Sequence, residues 1–139
     1  MKINLLQAIV NAIDDVTTLT GGALIYSPEL DLNAQTKPFA VVRSLTDTEK
    51  ITTFDAAKEA EYYIWVYVYP IANEYQAISL PEDIKSTLFS ELTVTIGTTP
   101  NQKTYKSKPL DITVNRLNGM DNDLEKYGSV ITCIYKIYS

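Results

Sequence analysis

Ala60-Glu61-Tyr62-Tyr63-Ile64-Trp65-Val66-Tyr67-Val68-Tyr69 is the stretch whose reading decides the fold. Successive strand side chains point to opposite faces. One face then carries Tyr62, Ile64, Val66 and Val68, and the alternation predicts that this face is core. The other carries Glu61, Tyr63, Trp65, Tyr67 and Tyr69, a ladder of aromatics with apolar bodies and polar tips. A small protein covers such a ladder with a helix or leaves it for a partner. Pro70 ends the strand, because proline cannot donate to a sheet ladder.

Upstream, residues 3–17 predict an amphipathic helix. Ile3, Leu6, Val10 and Ile13 follow helical spacing, and Ile9 and Val16 widen the stripe. Gly21-Gly22 allows a turn. A short strand is expected over Ala23 to Tyr26, then a polar loop over Ser27 to Lys37. Pro38 opens a strand in which Phe39, Val41, Arg43 and Leu45 alternate with Ala40, Val42 and Ser44. Thr46 to Lys58 is a polar stretch around Ile51 and Phe54, expected to be a long hairpin arm or loop leading into the aromatic strand.

Downstream, Ser79 and Glu82 have the spacing of a capping box and Pro81 suits a first helical turn. They predict a second helix reaching about Glu91, with Ile84, Leu88 and Leu92 on one face and Phe89 beside them; residues 71–79 are open. Strands are expected over Leu92 to Ile96, over Leu110 to Leu117, and over Val130 to Tyr138. Between them lie a polar connection from Gly97 to Lys108, an Asn118-Gly119 turn and an acidic loop at 120–128. Strands come in runs instead of alternating with helices, so the class is α+β. The expected architecture is a single domain over residues 1–139, a mostly antiparallel sheet with two helices packed on one face. No third layer is apparent, so the second face is expected to be exposed or to meet something else.

The 139 residues suffice for one core. Apolar residues make up 45% and charged residues 21%, globular values that argue against a disordered chain. The net charge of −5 makes the chain a poor holder of nucleic acid, whose affinity comes mostly from Lys and Arg. Ten Tyr against three Phe and one Trp fit both strand propensity and a wet apolar interface. The N-terminal segment does not read as a signal peptide, and no run is long enough for a transmembrane helix. One cysteine, Cys133, precludes an intrachain disulfide; folding in a reducing cytoplasm is expected.

The chain has no histidine, which removes His-based acid–base chemistry, Ser-His-Asp triads and most transition-metal sites. Neither GxxxxGK[ST] nor GxGxxG occurs. Cys133 has no His to activate it and is expected to be core. Asp121, Asp123 and Glu125 alternate like calcium ligands, but Lys126 stands where an EF-hand needs Gly, so a solvated loop is expected. Asp14-Asp15 and Glu61 beside Lys58 read as surface charge. Lys103, Tyr105, Lys106 and Lys108 form a small basic patch with an aromatic inside it, read as a loop tip that a phosphate backbone or an acidic partner could meet. Phe54 is an isolated aromatic able to anchor the polar arm on a neighbour or fold back on its own sheet. No catalytic residue, cofactor or metal ligand is assigned.

The short N-terminal helix, the Lys37-Pro38-Phe39-Ala40-Val41-Val42 strand start, the polar excursion, the long strand ending at Pro70, the second helix and the closing strands span nearly the whole chain. This layout resembles the tail-terminator and tail-completion (minor tail) proteins of long-tailed phages. It is a likeness of arrangement, and it transfers no catalytic residue. The resemblance implies a structural virion protein, not an enzyme. Such a protein forms a homo-oligomeric ring, usually a hexamer, that stops tube polymerisation, caps the tail tube and docks to the head connector. It is assembled in the host cytoplasm and located at the head–tail junction. DNA would pass through the ring without specific binding, which suits an acidic chain, and no membrane is involved. A ring needs heterologous interfaces. Tyr63, Trp65, Tyr67 and Tyr69, with Phe54, are the expected subunit interface, and Lys103, Tyr105, Lys106 and Lys108 the expected tube or connector contact. Two other readings remain open: a head–tail connector or adaptor ring, and a small monomeric binding domain that uses the aromatic sheet face as its platform.

Overall fold

The computed structural model describes residues 2–16, 19–44, 50–51, 59–71, 73–96, 100, 102–117 and 126–138, with backbone alone at 2, 50–51, 59–61, 96, 103 and 136–138. Helix α1 spans Lys2–Asp14 and α2 spans Glu74–Leu88. The strands are β1 (Ala23–Ile25), β2 (Phe39–Ser44), β3 (Lys50–Ile51), β4 (Glu59–Tyr69), β5 (Leu92–Ile96), β6 (Lys103–Arg116) and β7 (Ser129–Tyr138). They form one sheet in the order β1-β2-β4-β7-β6-β5, with β3 paired to the start of β4. Only β1–β2 is a parallel pairing; every other pairing is antiparallel. The protein is an α+β single domain, with both helices on the sheet.

The alternation of β4 works as its sequence dictates. Tyr62, Ile64, Val66 and Val68 are buried in the main core with Ala40, Val42, Ile131, Cys133 and Tyr135 from the neighbouring strands. Two helices supply the rest. From α1 come Leu5, Leu6, Ile9, Val10 and Ile13; from α2 come Leu80, Ile84 and Leu88. Ile3, expected on the inner stripe, faces solvent instead. Leu5 takes its place because 5, 9 and 13 stack at one-turn intervals. Helix α1 touches β1 and β2 at one end of the strand order and β5 at the other, so the sheet curls around it. At its C-terminus, Asp14 is more than surface charge: Oδ1 accepts the Ala23 N–H at 2.8 Å and anchors β1.

Helix α2 begins six residues earlier than a cap at Ser79 suggests. Asn73 is its N-cap, accepting the Gln76 N–H at 3.2 Å, and Gln76 Oε1 reaches back to the Ile71 N–H at 2.7 Å. Pro81 therefore lies inside the helix and not in its first turn. A proline there removes one i→i−4 hydrogen bond. The helix continues through it because Ala77, Leu80, Pro81, Ile84 and Leu88 make one buried stripe. At the far end the buried Tyr135 hydroxyl donates to the Leu88 carbonyl at 3.3 Å, tying the helix terminus to β7.

The expected polar connection from Gly97 to Lys108 is corrected in its second half. Lys103 to Lys108 are the first residues of β6, paired with Ile96 to Leu92 of β5 and with β7. Only part of the 46–58 arm lies within the described residues: Lys50 and Ile51 pair with Glu61 and Ala60, as a hairpin arm would.

A third layer, absent from the sequence expectation, also exists. The segment after β1 runs across the outer sheet face, with a short 3-10 turn at Leu32–Ala34 capped by Asp31. It sets Leu30 and Leu32 against a second small core of Phe39, Val41 and Tyr69.

Candidate functional site

The outer face of the sheet carries the aromatic ladder, and register gives its map. The row Val41, Tyr67 and Val130 lies beside the row Arg43, Trp65 and Thr132, followed by Tyr63 with Ile134 and then Asp111. Ring contacts run along β4: Trp65 meets Tyr67 edge-on at 6.0 Å, Tyr67 stacks on Tyr69 at 6.5 Å, and Tyr69 meets Phe39 at 4.9 Å. Offset and edge contacts at such separations are the favoured aromatic geometries.

The four ladder residues do not share one environment. Tyr69 is only 4% exposed, sealed by Phe39, Val41, Leu30 and Leu32. Tyr67 and Trp65 are half-buried, and Tyr63 is 37% exposed. The chain's own loop thus closes the Tyr69 end, while the Tyr63–Trp65 end is open. Strand alternation assigns all four to one face but says nothing of what covers each. The signal for the cover was Leu30 and Leu32, two leucines two residues apart in an otherwise polar segment. Beside this face, the Arg43 guanidinium sits 4.1 Å over the Tyr26 ring, a cation–π contact.

The basic patch is not a loop tip. Its residues lie in β6, where alternation separates them: Tyr105 packs partly buried against the main core, whereas Lys106 and Lys108 are exposed. Lys106 Nζ is 3.8 Å from Glu91 Oε1, an exposed pair worth at most about 1 kcal/mol. Lys103 belongs to the strand by its backbone. A bulge between Pro109 and Asp111 leaves Leu110 opposite no partner, and its side chain is exposed. Phe54 and the Asp121, Asp123 and Glu125 loop lie outside the described residues.

Cys133 is the one thiol of the chain, fully buried in β7. Burial, with a smaller contribution from the Asp111 carboxylate, pushes it up to about 12. Burial also raises the neighbouring Tyr135 hydroxyl, with Cys133 adding to the effect. The native state therefore holds a thiol proton that the unfolded chain releases near pH 9. The sign follows: this contribution to stability is complete below that value and is lost as pH rises towards about 12. A thiolate reagent at pH 8 should leave native Cys133 unlabelled and modify one thiol per chain in denaturant. Rapid labelling of the folded protein would show that the thiol is reachable and ionised.

A cleft of about 570 Å³ opens between the helix C-termini, lined by Ala12, Asp15, Val16, Asp83, Ser86, Thr87, Ser90 and Leu92. Its polar lining is two carboxylates, Asp15 and Asp83, and the hydroxyls of Ser86, Thr87 and Ser90. Among the described residues, no group of three Cys, Asp or Glu side chains is placed to hold a metal ion. Nor is any described helix long and apolar enough to cross a membrane.

No protein-family model matches the chain, and no curated protein matches it significantly.

Proposed function

We propose that this chain is a structural virion protein whose copies form a ring, with six subunits as the expected number, that caps a phage tail tube and joins it to the head connector. The observation that supports this best is the division of the outer sheet face. The fold spends its own loop on the Tyr69 end and leaves Tyr63 and Trp65, with Ile134 beside them, open to a neighbour. Half-covered aromatic faces are typical of protein–protein contact, because tyrosine and tryptophan tolerate both water and burial. The chemistry of the chain agrees. It lacks histidine, its single thiol is buried and protonated, and its net charge of −5 suits a channel that DNA traverses without adhering. In this reading the exposed Lys106 and Lys108 face the tube or the connector.

The test is mass in solution by light scattering, joined to negative-stain imaging and a capping assay. The protein should form closed rings and should halt elongation of polymerising tube protein. A monomer at every concentration that leaves tube growth unchanged would remove this reading and favour a monomeric binding domain.

A further inference from the structure

Helix α2 is apolar on two sides. Its inner stripe packs on the sheet, but Tyr75 and Ile78 are exposed on another side, with Ile71 exposed just before the helix. Tyr75 is 80% exposed, Ile78 60% and Ile71 43%. Tyr75 and Ile78 fall at i and i+3 on one helix surface, and Ile71 lies two residues before the Asn73 cap, tied to the first turn by its N–H to Gln76 Oε1 at 2.7 Å. Single exposed apolar side chains are ordinary, but three grouped at one helix start, a tyrosine among them, make a contact ridge. This ridge lies on the helix side of the molecule. The open Tyr63–Trp65 region lies on the opposite face of the sheet.

We infer that these two patches are the two halves of one head-to-tail interface: the α2 ridge of one copy seats on the open outer sheet face of the next. The inference rests on the ring reading and names its contact surfaces. Two different apolar patches on opposite sides of one chain make a heterologous contact, which closes into a ring or runs on as a filament. Charge supports a second copy as the occupant. Helix α2 carries Glu74, Glu82 and Asp83 against a single lysine, Lys85, so its surface is acidic on balance. The described side chains at the sheet face include Arg43, Lys106 and Lys108 against Asp111, a positive excess in a chain whose net charge is −5. Glu74 is held at 3.0 Å by Arg116 of its own chain, and Glu82 has no partner among the described residues. An acidic apolar ridge thus faces a basic apolar floor, the complementarity that sets register and suppresses self-pairing of either patch.

Two double variants test this. In the ridge variant, Tyr75→Ser and Ile78→Ser remove exposed apolar groups from the helix. In the sheet variant, Tyr63→Glu and Lys108→Glu place acid opposite the acidic ridge. Each alone should raise the concentration for half-assembly by about 30-fold or more, the size of a hot-spot loss. Mixed in equal amounts, they should form a 1:1 dimer and stop there, because one intact ridge and one intact sheet face remain. Melting followed by circular dichroism confirms that both fold; if the sheet variant does not, Lys108→Glu alone replaces it. Raised salt should weaken wild-type assembly. A wild-type ring that either variant still forms at unchanged concentration, or a mixture that stays monomeric, overturns the pairing while leaving the ring reading intact. A wild-type chain that stays monomeric even with tube ends present removes both.

Discussion

Tyr69→Ala should lower the free energy of unfolding by about 3–5 kcal/mol, the range for truncating a buried aromatic. Tyr63→Ala, three rows away on the same strand face, should change it by far less, under about 1 kcal/mol, because its ring is partly exposed. The contrast follows from what lies over each ring. Tyr69 meets Phe39 at 4.9 Å, stacks on Tyr67 at 6.5 Å, and is closed in by Leu30 and Leu32. Its loss opens a cavity between a loop and the sheet, under Leu30 and Leu32. Tyr63 is 37% exposed, so part of its side chain already faces solvent and its loss opens no closed cavity. Denaturant titration of the two variants gives both numbers, with unchanged slopes showing that the transition remains two-state. If Tyr69→Ala kept full stability but lost assembly, Tyr69 would belong to the subunit contact and the small second core would contribute little to the fold.

The strand that decides the fold was legible because a period of two over many residues has few alternative meanings. Its inner row went to the core residue by residue, and α1 was equally plain from its stripe. The first half of β6 was silent for a physical reason. Its inward positions before the bulge include Tyr105, Ser107 and Pro109, so only one aromatic marks the inner side. Ser107 is buried there, with no hydrogen-bond partner for its hydroxyl among the described residues. A strand that buries serine and displays lysine has the composition of a loop, and it is the ladder with β5 and β7 that makes it a strand.

The start of α2 was written twice. Asn73-Glu74-Tyr75-Gln76 is a capping pattern as good as the one at Ser79 to Glu82, and proline's preference for first turns favoured the wrong one. Tertiary burial of Ala77 and Leu80 outweighed the hydrogen bond lost at Pro81. This misreading also hid the outer ridge, since Tyr75 and Ile78 acquire a common side only once the helix begins at Glu74. Of the candidate site, the sequence fixes which face carries the aromatics but not which of them the chain keeps for itself.

That division depends on one crowded turn. Gly21→Ala should destabilise the protein by about 1–3 kcal/mol or more, as overpacking does. A Cβ at Gly21 would run into the carbonyl oxygen of Thr36, and it would also press on Phe39 Cβ at 3.0 Å. Neither neighbour can give way cheaply. Thr36 is backbone, and Phe39 is fully buried in the small second core. The turn is held from both sides as well: the Gly21 N–H donates to the Pro38 carbonyl at 2.9 Å, and the Ala40 N–H donates to the Gly22 carbonyl at 3.1 Å. The added methyl therefore pushes the end of the 27–37 segment away from the sheet, and with it the cover over Tyr69. Gly22→Ala is a different case, because its φ of 73° is the strain and not the space around it. That substitution should cost about 1–2 kcal/mol, the usual penalty for an L side chain in the left-handed region. Thermal melts of both variants, with tyrosine fluorescence as a second probe, separate the effects. Gly21→Ala should also make the tyrosines at the outer face more accessible to a quencher in the folded state, whereas Gly22→Ala should not. A Gly21→Ala protein with wild-type stability and quenching would mean that the segment after β1 is not fixed against β2, and the outer face would then be open along its whole length.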